Sequence, residues 1–238
     1  MRICIFTDAY PPYINGVSTS TYNLVEIFRS HGHQVLLIAP QGEDGPTKRI
    51  GDNIYFKGIS LKKFYGYRIT KMFDQAVFKQ VKDFKPDVIH IQTDFTVGFF
   101  GRFVVRRLKN VASIYTYHTA YEDYTYYVTR GMADRMAKKI VRNYSKNTAK
   151  NVTEYITPSE KTKEYMRFAG SDAYINVIPT GIDFSIFADD RFDKERAKKF
   201  KQDHNIGEND KIFLILGRIA KEKSMDISVQ GFHAYRLA

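Results

Sequence analysis

Apolar runs of strand length alternate with amphipathic stretches of helix length along the whole chain. The runs "HQVLLIAP" and "PDVIHIQ" place apolar residues at consecutive positions instead of alternating them with polar ones. Continuous apolar strands are typical of a parallel sheet that helices cover on both faces. The pattern therefore predicts an α/β fold with a doubly wound parallel sheet. It also predicts a ligand site beyond the carboxyl ends of the strands.

Turn and cap residues set the expected boundaries. Ser18 or Thr19 would cap the first helix and Gly32 would end it, while a later helix would stop before Pro86. The predicted strands are 3–6, 33–40, 53–58, 86–92, 112–118, 153–159, 173–181 and 211–219. The predicted helices are 17–30, 68–84, 97–108, 132–150, 160–168, 194–204 and one from 225.

The end of the chain predicts a second domain. A polar, charged stretch over 189–210 precedes a new strand, loop and helix. Residues 211–238 are too few to bury a core alone, since about 40 residues is the practical floor without disulfides or metals. We therefore expect one domain over 1–178, a linker over 179–210 and an incomplete second domain over 211–238. The chain is accordingly expected to be part of a longer protein.

Cysteine content and hydropathy indicate the cell compartment. The single cysteine, Cys4, lies in the first apolar strand, so no disulfide can form within the chain. The apolar N-terminal stretch meets Asp8 too early for a signal peptide, and no apolar run approaches the roughly 18 residues of a membrane span. We expect a cytoplasmic protein that is soluble or peripheral to a membrane.

The positive charge is concentrated in the middle of the sequence. The net charge is +11, and residues 61–150 hold 18 basic against 7 acidic side chains, whereas the segments on either side are balanced. A basic face of this kind indicates an anionic surface or polyanion as partner. Lysines on ordinary solvated helices are the alternative. A nucleic-acid-binding module is a weaker hypothesis, because no nucleic-acid motif is present.

The loop "TDAYPPYINGVSTSTYNL" after the first strand contains the first candidate site residue. Gly16 at the start of a helix would let backbone N–H groups and the positive helix end meet an anionic ligand. An ordinary turn explains a single glycine equally well. The three-glycine dinucleotide fingerprint is missing, so a nicotinamide or flavin cofactor is not expected.

"TYHTAYEDY" contains the second group of candidates. His118 falls at the carboxyl end of a predicted strand, where it could donate a hydrogen bond to a sugar or phosphate oxygen, although a structural histidine is the alternative. Tyr121, Glu122 and Asp123 follow as candidates for binding hydroxyl groups, and solvated loop acids are the commoner outcome. No metal site is predicted.

"GRIAKEKS" places Arg218 and Lys223 directly after the last predicted strand. Cations at this position can hold a diphosphate and stabilise the negative charge that grows as it leaves. Basic loop residues alone would be unremarkable.

Seven segments in order resemble glycosyltransferase family four. They are the opening loop, "HGHQVLLIAP", "PDVIHIQ", "YHTAYEDY", "ITPSEKTKEYM", "NVIPTGID" and "LGRIAKEKS". The resemblance covers essentially the whole chain and implies the GT-B architecture, in which two Rossmann-like domains face each other across a cleft. The amino-terminal domain takes the acceptor and the carboxyl-terminal domain binds the nucleotide sugar. Within the family, the sequence is most similar to bacterial 1,2-diacylglycerol 3-glucosyltransferases.

The resemblance assigns roles to the candidates. Gly16 would lie against the donor phosphate and sugar, His118 would contact the transferred sugar, and Arg218 and Lys223 would hold the donor diphosphate. The family retains anomeric configuration with no enzyme nucleophile generally assigned, and the departing phosphate is thought to take the acceptor proton. The family's glutamate pair has no counterpart here, and Ser224 replaces a usual glycine. The 238 residues alone are therefore expected to be inactive.

The implied reaction moves a hexose, with glucose expected, from a nucleotide sugar to a membrane lipid such as diacylglycerol. The substrate would be UDP-glucose, no cofactor would be tightly bound, a Mg²⁺ requirement stays open, and no nucleic acid would bind. The enzyme would be peripheral at the inner face of the plasma membrane. A soluble or polysaccharide acceptor is the alternative.

The candidates for contact with the membrane surface are Lys62, Lys63, Phe64, Tyr65, Arg68 and Lys71. The competing interpretation of this segment is an ordinary amphipathic helix with its aromatic side chains in the core.

Overall fold

The computed structural model describes residues 1–60, 68–118, 134–188, 192–217, 219 and 223–237. The chain divides into two compact units, Met1–Ile182 and Asp183–Ala238. The strands are β1 Arg2–Phe6, β2 Gln34–Pro40, β3 Lys48–Ile50, β4 Asn53–Phe56, β5 Gly58–Ser60, β6 Arg68–Thr70, β7 Val88–Ile91, β8 Ala112–Thr116, β9 Glu154–Thr157 and β10 Ile175–Val177. The α-helices are α1 Gly16–Ser30, α2 Gln75–Phe84, α3 Thr96–Arg107, α4 Asp134–Thr148, α5 Glu160–Phe168, α6 Lys194–Asp203 and α7 Met225–Leu237.

The first unit is built on one large sheet. Over the described residues its strand order is β10-β9-β8-β7-β1-β2-β4-β3, and every pair except β3 with β4 is parallel. Strands β5 and β6 form a separate antiparallel hairpin. The predicted α/β fold with a doubly wound, mostly parallel sheet is confirmed.

The two sheet faces are packed by different helices. One apolar cluster joins Phe6 and Ile91 of the sheet to residues of α2, α3 and α5, including Val81 and Phe100. The other joins Ile3 and Ile5 to Val25 of α1. Successive residues of β1 thus point to opposite faces and both are buried, which explains why its sequence is continuously apolar.

Three predicted elements differ in the structure. The cap of α1 is Asn15 and not Ser18 or Thr19, since the Asn15 side chain accepts a hydrogen bond from the backbone N–H of Ser18. The helix predicted from residue 68 begins instead at Gln75, after the N-cap Asp74, and 68–70 pairs with β5.

The third difference lies in the second unit, where residues 211–216 are exposed and form no strand. A strand is stable only when neighbouring strands satisfy its backbone groups, and the described part of this unit supplies none to pair with them. The helices predicted at 194–204 and from 225 are present as α6 and α7.

The predicted division into 1–178, 179–210 and 211–238 stays a prediction. Over the described residues, no helix has both the length and the apolar content needed to cross a bilayer.

Gly98 allows α3 to approach the loop after β7 closely. A Cβ atom at this position would collide with the carbonyl oxygen of Thr93. We therefore expect Gly98→Ala to lower the free energy of unfolding by about 2 kcal/mol or more, because the helix or the loop must shift. Urea unfolding checks this. Gly16→Ala is the control, since its Cβ would meet no atom within 4 Å, and it should change stability by less than about 1 kcal/mol. Equal losses in both variants would contradict the expectation.

Candidate functional site

The candidate site lies where the strand order reverses. β1 pairs with β2 on one side and with β7 on the other, so the connections leaving β1 and β7 diverge and open a crevice at the carboxyl ends of these strands. The loop after β1 contains Asp8 and leads to Gly16, and the segment after β7 contains Gln92, Thr93 and Asp94.

Asp8 is the most highly hydrogen-bonded side chain of this crevice and is only 1% exposed. Its carboxylate accepts from the Thr93 hydroxyl (2.7 Å) and from the backbone N–H groups of Val97 (2.7 Å) and Gly98 (3.1 Å). Phe95 N–H and the Thr96 hydroxyl also donate to it, at 3.1 and 3.2 Å.

These bonds cap α3 from a distant part of the chain. Phe95 occupies the N-cap position and has no side-chain oxygen to offer the first turn. Asp8, from the loop after β1, supplies the acceptor instead, and its negative charge meets the positive end of the helix. Burial raises the pKa of Asp8, while the hydrogen bonds from Thr93, Val97, Gly98 and Thr96 act in the opposite direction.

His118 ends a string of polar side chains that runs from β8 to β7. Its Nε2 atom lies 2.7 Å from Gln92 Oε1, and Gln92 Nε2 lies 2.9 Å from His90 Nε2. His90 Nε2 is in turn 2.8 Å from the Thr116 hydroxyl. Alternate residues of a strand share one face, so the spacing of "HIQ" and "TYH" places all four side chains on one sheet face.

Both histidines are neutral at physiological pH. Burial, reinforced by the nearby His118, lowers the pKa of His90 to about 3. Burial lowers the pKa of His118 to about 4. His118 therefore offers one ring nitrogen as a donor and the other as an acceptor, and it brings no positive charge to the crevice.

Asp94 belongs to a second buried cluster, which the sequence analysis did not identify. It pairs with Arg102 of α3 and accepts from the hydroxyls of Tyr115 on β8 and Tyr144 on α4, the latter at 3.1 Å. The Arg102 guanidinium lies 4.8 Å from the Tyr115 ring centroid. The only sequence signal was a carboxylate directly after a buried strand, because its partners are distant in the chain. The cluster holds α3 and α4 to the sheet.

Gly16 is the first residue of α1 and is exposed. A side chain there would meet no atom within 4 Å, so no described part of the chain requires a glycine at this position. Its assigned role against a donor phosphate and sugar stays a prediction.

The other predicted site residues are distributed as follows. Eight of them lie outside the described residues: Lys62, Lys63, Phe64, Tyr65, Tyr121, Glu122, Asp123 and Arg218. Lys71 and Lys223 are exposed. No group of three or more His, Cys, Asp or Glu side chains placed to hold a metal ion occurs within the described ranges.

The burial of Arg68 contradicts its predicted place on a membrane-binding surface. It is 5% exposed, and its guanidinium donates to the carbonyl of Gly58 and pairs with Asp44. These contacts hold its guanidinium against Gly58 of β5, so this buried side chain is not part of an exposed membrane-binding surface.

The model of the family described as Glycosyltransferase Family 4 matches residues 14–186 of this chain, which is most of the first unit. The chain belongs to this family. The resemblance drawn from the sequence motifs is thereby confirmed, and the first unit of this family-four member contains the crevice described above.

Curated relatives of this family-four chain include lipid glucosyltransferases. The chain is 32% identical over 98% of its length to an alpha-monoglucosyldiacylglycerol synthase of Acholeplasma laidlawii. It is 31% identical, again over 98% of its length, to the enzyme of that name from Streptococcus pneumoniae. A GDP-mannose-dependent alpha-mannosyltransferase of Mycolicibacterium smegmatis is 24% identical over 95% of the chain and 58% of that protein. The chain spans 59% and 52% of the length of the two glucosyltransferases.

Among solved structures, a sucrose-phosphate synthase from Thermosynechococcus elongatus matches with a TM-score of 0.63 and 15% identity, covering 97% of this chain and 59% of that one. At this identity the likeness concerns the fold alone. The shared fold is the α/β, Rossmann-like architecture of GT-B glycosyltransferases, as predicted.

The neutral His90 of this family-four chain predicts a loss of stability in acid. An unfolded histidine takes up a proton near pH 6.5, whereas folded His90 does so only near pH 3. The unfolded state therefore binds more protons between these values, and stability falls by about 1.4 kcal/mol per pH unit for such a group as pH drops below about 6.5. Urea unfolding of the wild type and of His90→Gln at pH 7, 6 and 5 measures this slope.

His90→Gln should flatten the decline, although His118 would still contribute. His31→Gln, a change at an exposed histidine at the end of α1, is the matched control and should keep the wild-type slope because His90 is still present. Identical slopes in all three proteins would refute the assignment.

Proposed function

We propose that this chain is the acceptor-side part of a retaining glucosyltransferase that moves glucose from UDP-glucose to diacylglycerol at a membrane surface. The observation that carries the proposal is the alignment of 98% of the chain with two alpha-monoglucosyldiacylglycerol synthases at 32% and 31% identity. Because those relatives are longer, the donor-binding residues are proposed to belong mainly to a second domain that residues 211–238 begin.

The crevice offers what such a transfer requires from the acceptor-side domain. The N-terminus of α1 at Gly16 presents a positive helix end, which favours a nearby phosphate. His118 presents a neutral ring that can hydrogen-bond to a sugar without attracting a competing anion. Outside this domain, in the second unit, Arg218 and exposed Lys223 are proposed to hold the diphosphate as it leaves.

The buried carboxylates favour a reaction without an enzyme nucleophile. Asp8 is surrounded by hydrogen-bond donors, and Asp94 is paired with Arg102 and two tyrosines. Carboxylates held in this way are poor nucleophiles. We therefore propose that the leaving phosphate accepts the proton of the acceptor hydroxyl, while the protein positions the substrates and stabilises the developing charge.

A glucosyltransferase assay of the full-length protein, with its second domain complete, tests the proposal. With UDP-glucose and vesicles containing diacylglycerol, we expect UDP release and a monoglucosyl lipid detected by mass spectrometry. Gly16→Val should lower kcat/KM at least about 100-fold, because a branched side chain would occupy the phosphate position. Gly231→Val, at an exposed glycine whose Cβ would also meet no atom within 4 Å, is the control.

The same assay separates the alternatives. Turnover of GDP-mannose in place of UDP-glucose would change the assigned donor, and turnover with a soluble acceptor alone would change the assigned acceptor. If no nucleotide sugar is consumed with any lipid or polyol, the proposal fails.

We propose in addition that α4 contributes to a peripheral contact with an anionic membrane, at the inner face of the plasma membrane. Met136 and Ile140 lie one turn apart, and each is 64% exposed. Exposed Arg135 and Lys139 are their sequence neighbours on the same helix. Exposed apolar side chains beside cations are typical of helices that lie in a membrane interface. Lys71 and Met72, which are also exposed, offer a second such pair.

Vesicle flotation tests the membrane contact. Each cation near an anionic surface contributes about 1 kcal/mol, so Arg135→Glu with Lys139→Glu should weaken binding to phosphatidylglycerol vesicles about 30-fold or more. The same charge change at Lys198 and Lys199 of α6, which are exposed, is the control and should have a smaller effect. Equal loss in both pairs would indicate nonspecific attraction and overturn the assignment to α4.

A further inference from the structure

We propose that Gln92 is a positioning residue that fixes the proton of His118 on Nε2, so that Nδ1 is left to accept a hydrogen bond from a hydroxyl group of the bound ligand. The assignment of a sugar as that ligand rests on the proposed function. The role of Gln92 does not.

Gln92 links the two histidines through the two ends of one amide. Its side chain is 2% exposed, with Oε1 2.7 Å from His118 Nε2 and Nε2 2.9 Å from His90 Nε2. The amide nitrogen can only donate and the amide oxygen can only accept. The two ring nitrogens must therefore play opposite roles. With the amide oriented as in the structure, His90 Nε2 accepts and His118 Nε2 donates.

The buried end of the string is compatible with this assignment. His90 carries its proton on Nδ1 if Nε2 accepts, and the single lone pair of Nε2 is then shared between Gln92 Nε2 and the Thr116 hydroxyl at 2.8 Å. A hydroxyl can act as donor or acceptor, so Thr116 adapts to the state that Gln92 selects. Burial of both rings disfavours a second proton on either of them.

The consequence for His118 concerns the kind of ligand atom it can contact. In the neutral ring, a proton on Nε2 leaves Nδ1 with a lone pair and no hydrogen. Within the described part of the chain, Nδ1 of His118 has no hydrogen-bond partner, and the residue is partly exposed at the crevice. A phosphate oxygen has no proton to donate at neutral pH, whereas a sugar hydroxyl has one. His118 is therefore matched to a hydroxyl and not to the diphosphate.

Imidazole nitrogen NMR of the full chain tests the role of Gln92 without any activity. Two-bond ¹H–¹⁵N spectra distinguish the two neutral tautomers, and we expect His118 protonated on Nε2 and His90 on Nδ1. Gln92→Leu should leave His118 as a mixture of tautomers. Gln92→Glu should raise the pKa of His118 by about one unit or more, because a carboxylate favours the charged ring.

Gln75→Glu is the matched control. It introduces the same charge at an exposed position of α2 and should leave the His118 signals unchanged. If Gln92→Leu does not fold, Gln92→Glu and the wild-type spectrum still decide the question. Wild-type His118 protonated on Nδ1, or an unchanged His118 spectrum in folded Gln92 variants, overturns the proposal.

Deoxy-sugar donors test the ligand atom in the active protein. Removal of the contacted hydroxyl should lower kcat/KM about 10-fold for the wild type and much less for His118→Ala, in which the acceptor is already missing. No such coupling for any deoxy donor, together with confirmed tautomers, would refute the hydroxyl contact while leaving both the role of Gln92 and the proposed function in place. Failure of the proposed function would appear separately, as a lack of any turnover.

Discussion

The crevice depends on the buried carboxylate of Asp8. Asp8 follows β1, yet its carboxylate oxygens accept hydrogen bonds from the loop after β7 and from the first turn of α3. The backbone N–H groups of Phe95, Val97 and Gly98 all donate to this carboxylate. Those of Val97 and Gly98 would otherwise be buried without a partner, which is costly. The carboxylate thus fixes the distance between two loops that diverge from neighbouring strands, and it aligns α3 beside the opening.

The two faces of the sheet have different chemistry near that opening. On one face, Phe6 and Ile91 pack with α3 in an apolar cluster. On the other, His90 and Gln92 continue the same strand as a polar string that reaches His118. Side chains alternate along a strand. The same short segment therefore places Ile91 in the apolar cluster on one face and His90 and Gln92 on the other face, toward the candidate site. Burial lowers the pKa values of His90 and His118 and keeps both rings neutral.

Part of the candidate site was predictable and part was not. His118 and Gly16 stand out because strand ends and helix starts are marked by local sequence. Gln92, Asp94 and Arg102 were missed because their significance lies in partners from other strands and helices. Arg68 was misassigned for the same reason: its sequence neighbours are basic and aromatic, but a carbonyl and a carboxylate from the preceding segment bury it. Charge content alone does not tell whether a cation faces solvent.

The sequence by itself determined the α/β class, most element boundaries in the first unit and the family, because these follow from local apolar periodicity, capping residues and ordered motifs. The tertiary structure alone decided which side chains share the crevice, which histidines are buried, and that residues 211–216 form no strand. The physical reason is that hydrogen-bond pairing and burial depend on residues far apart in the chain. A strand forms, and a charge is buried, only where such distant neighbours supply the partners.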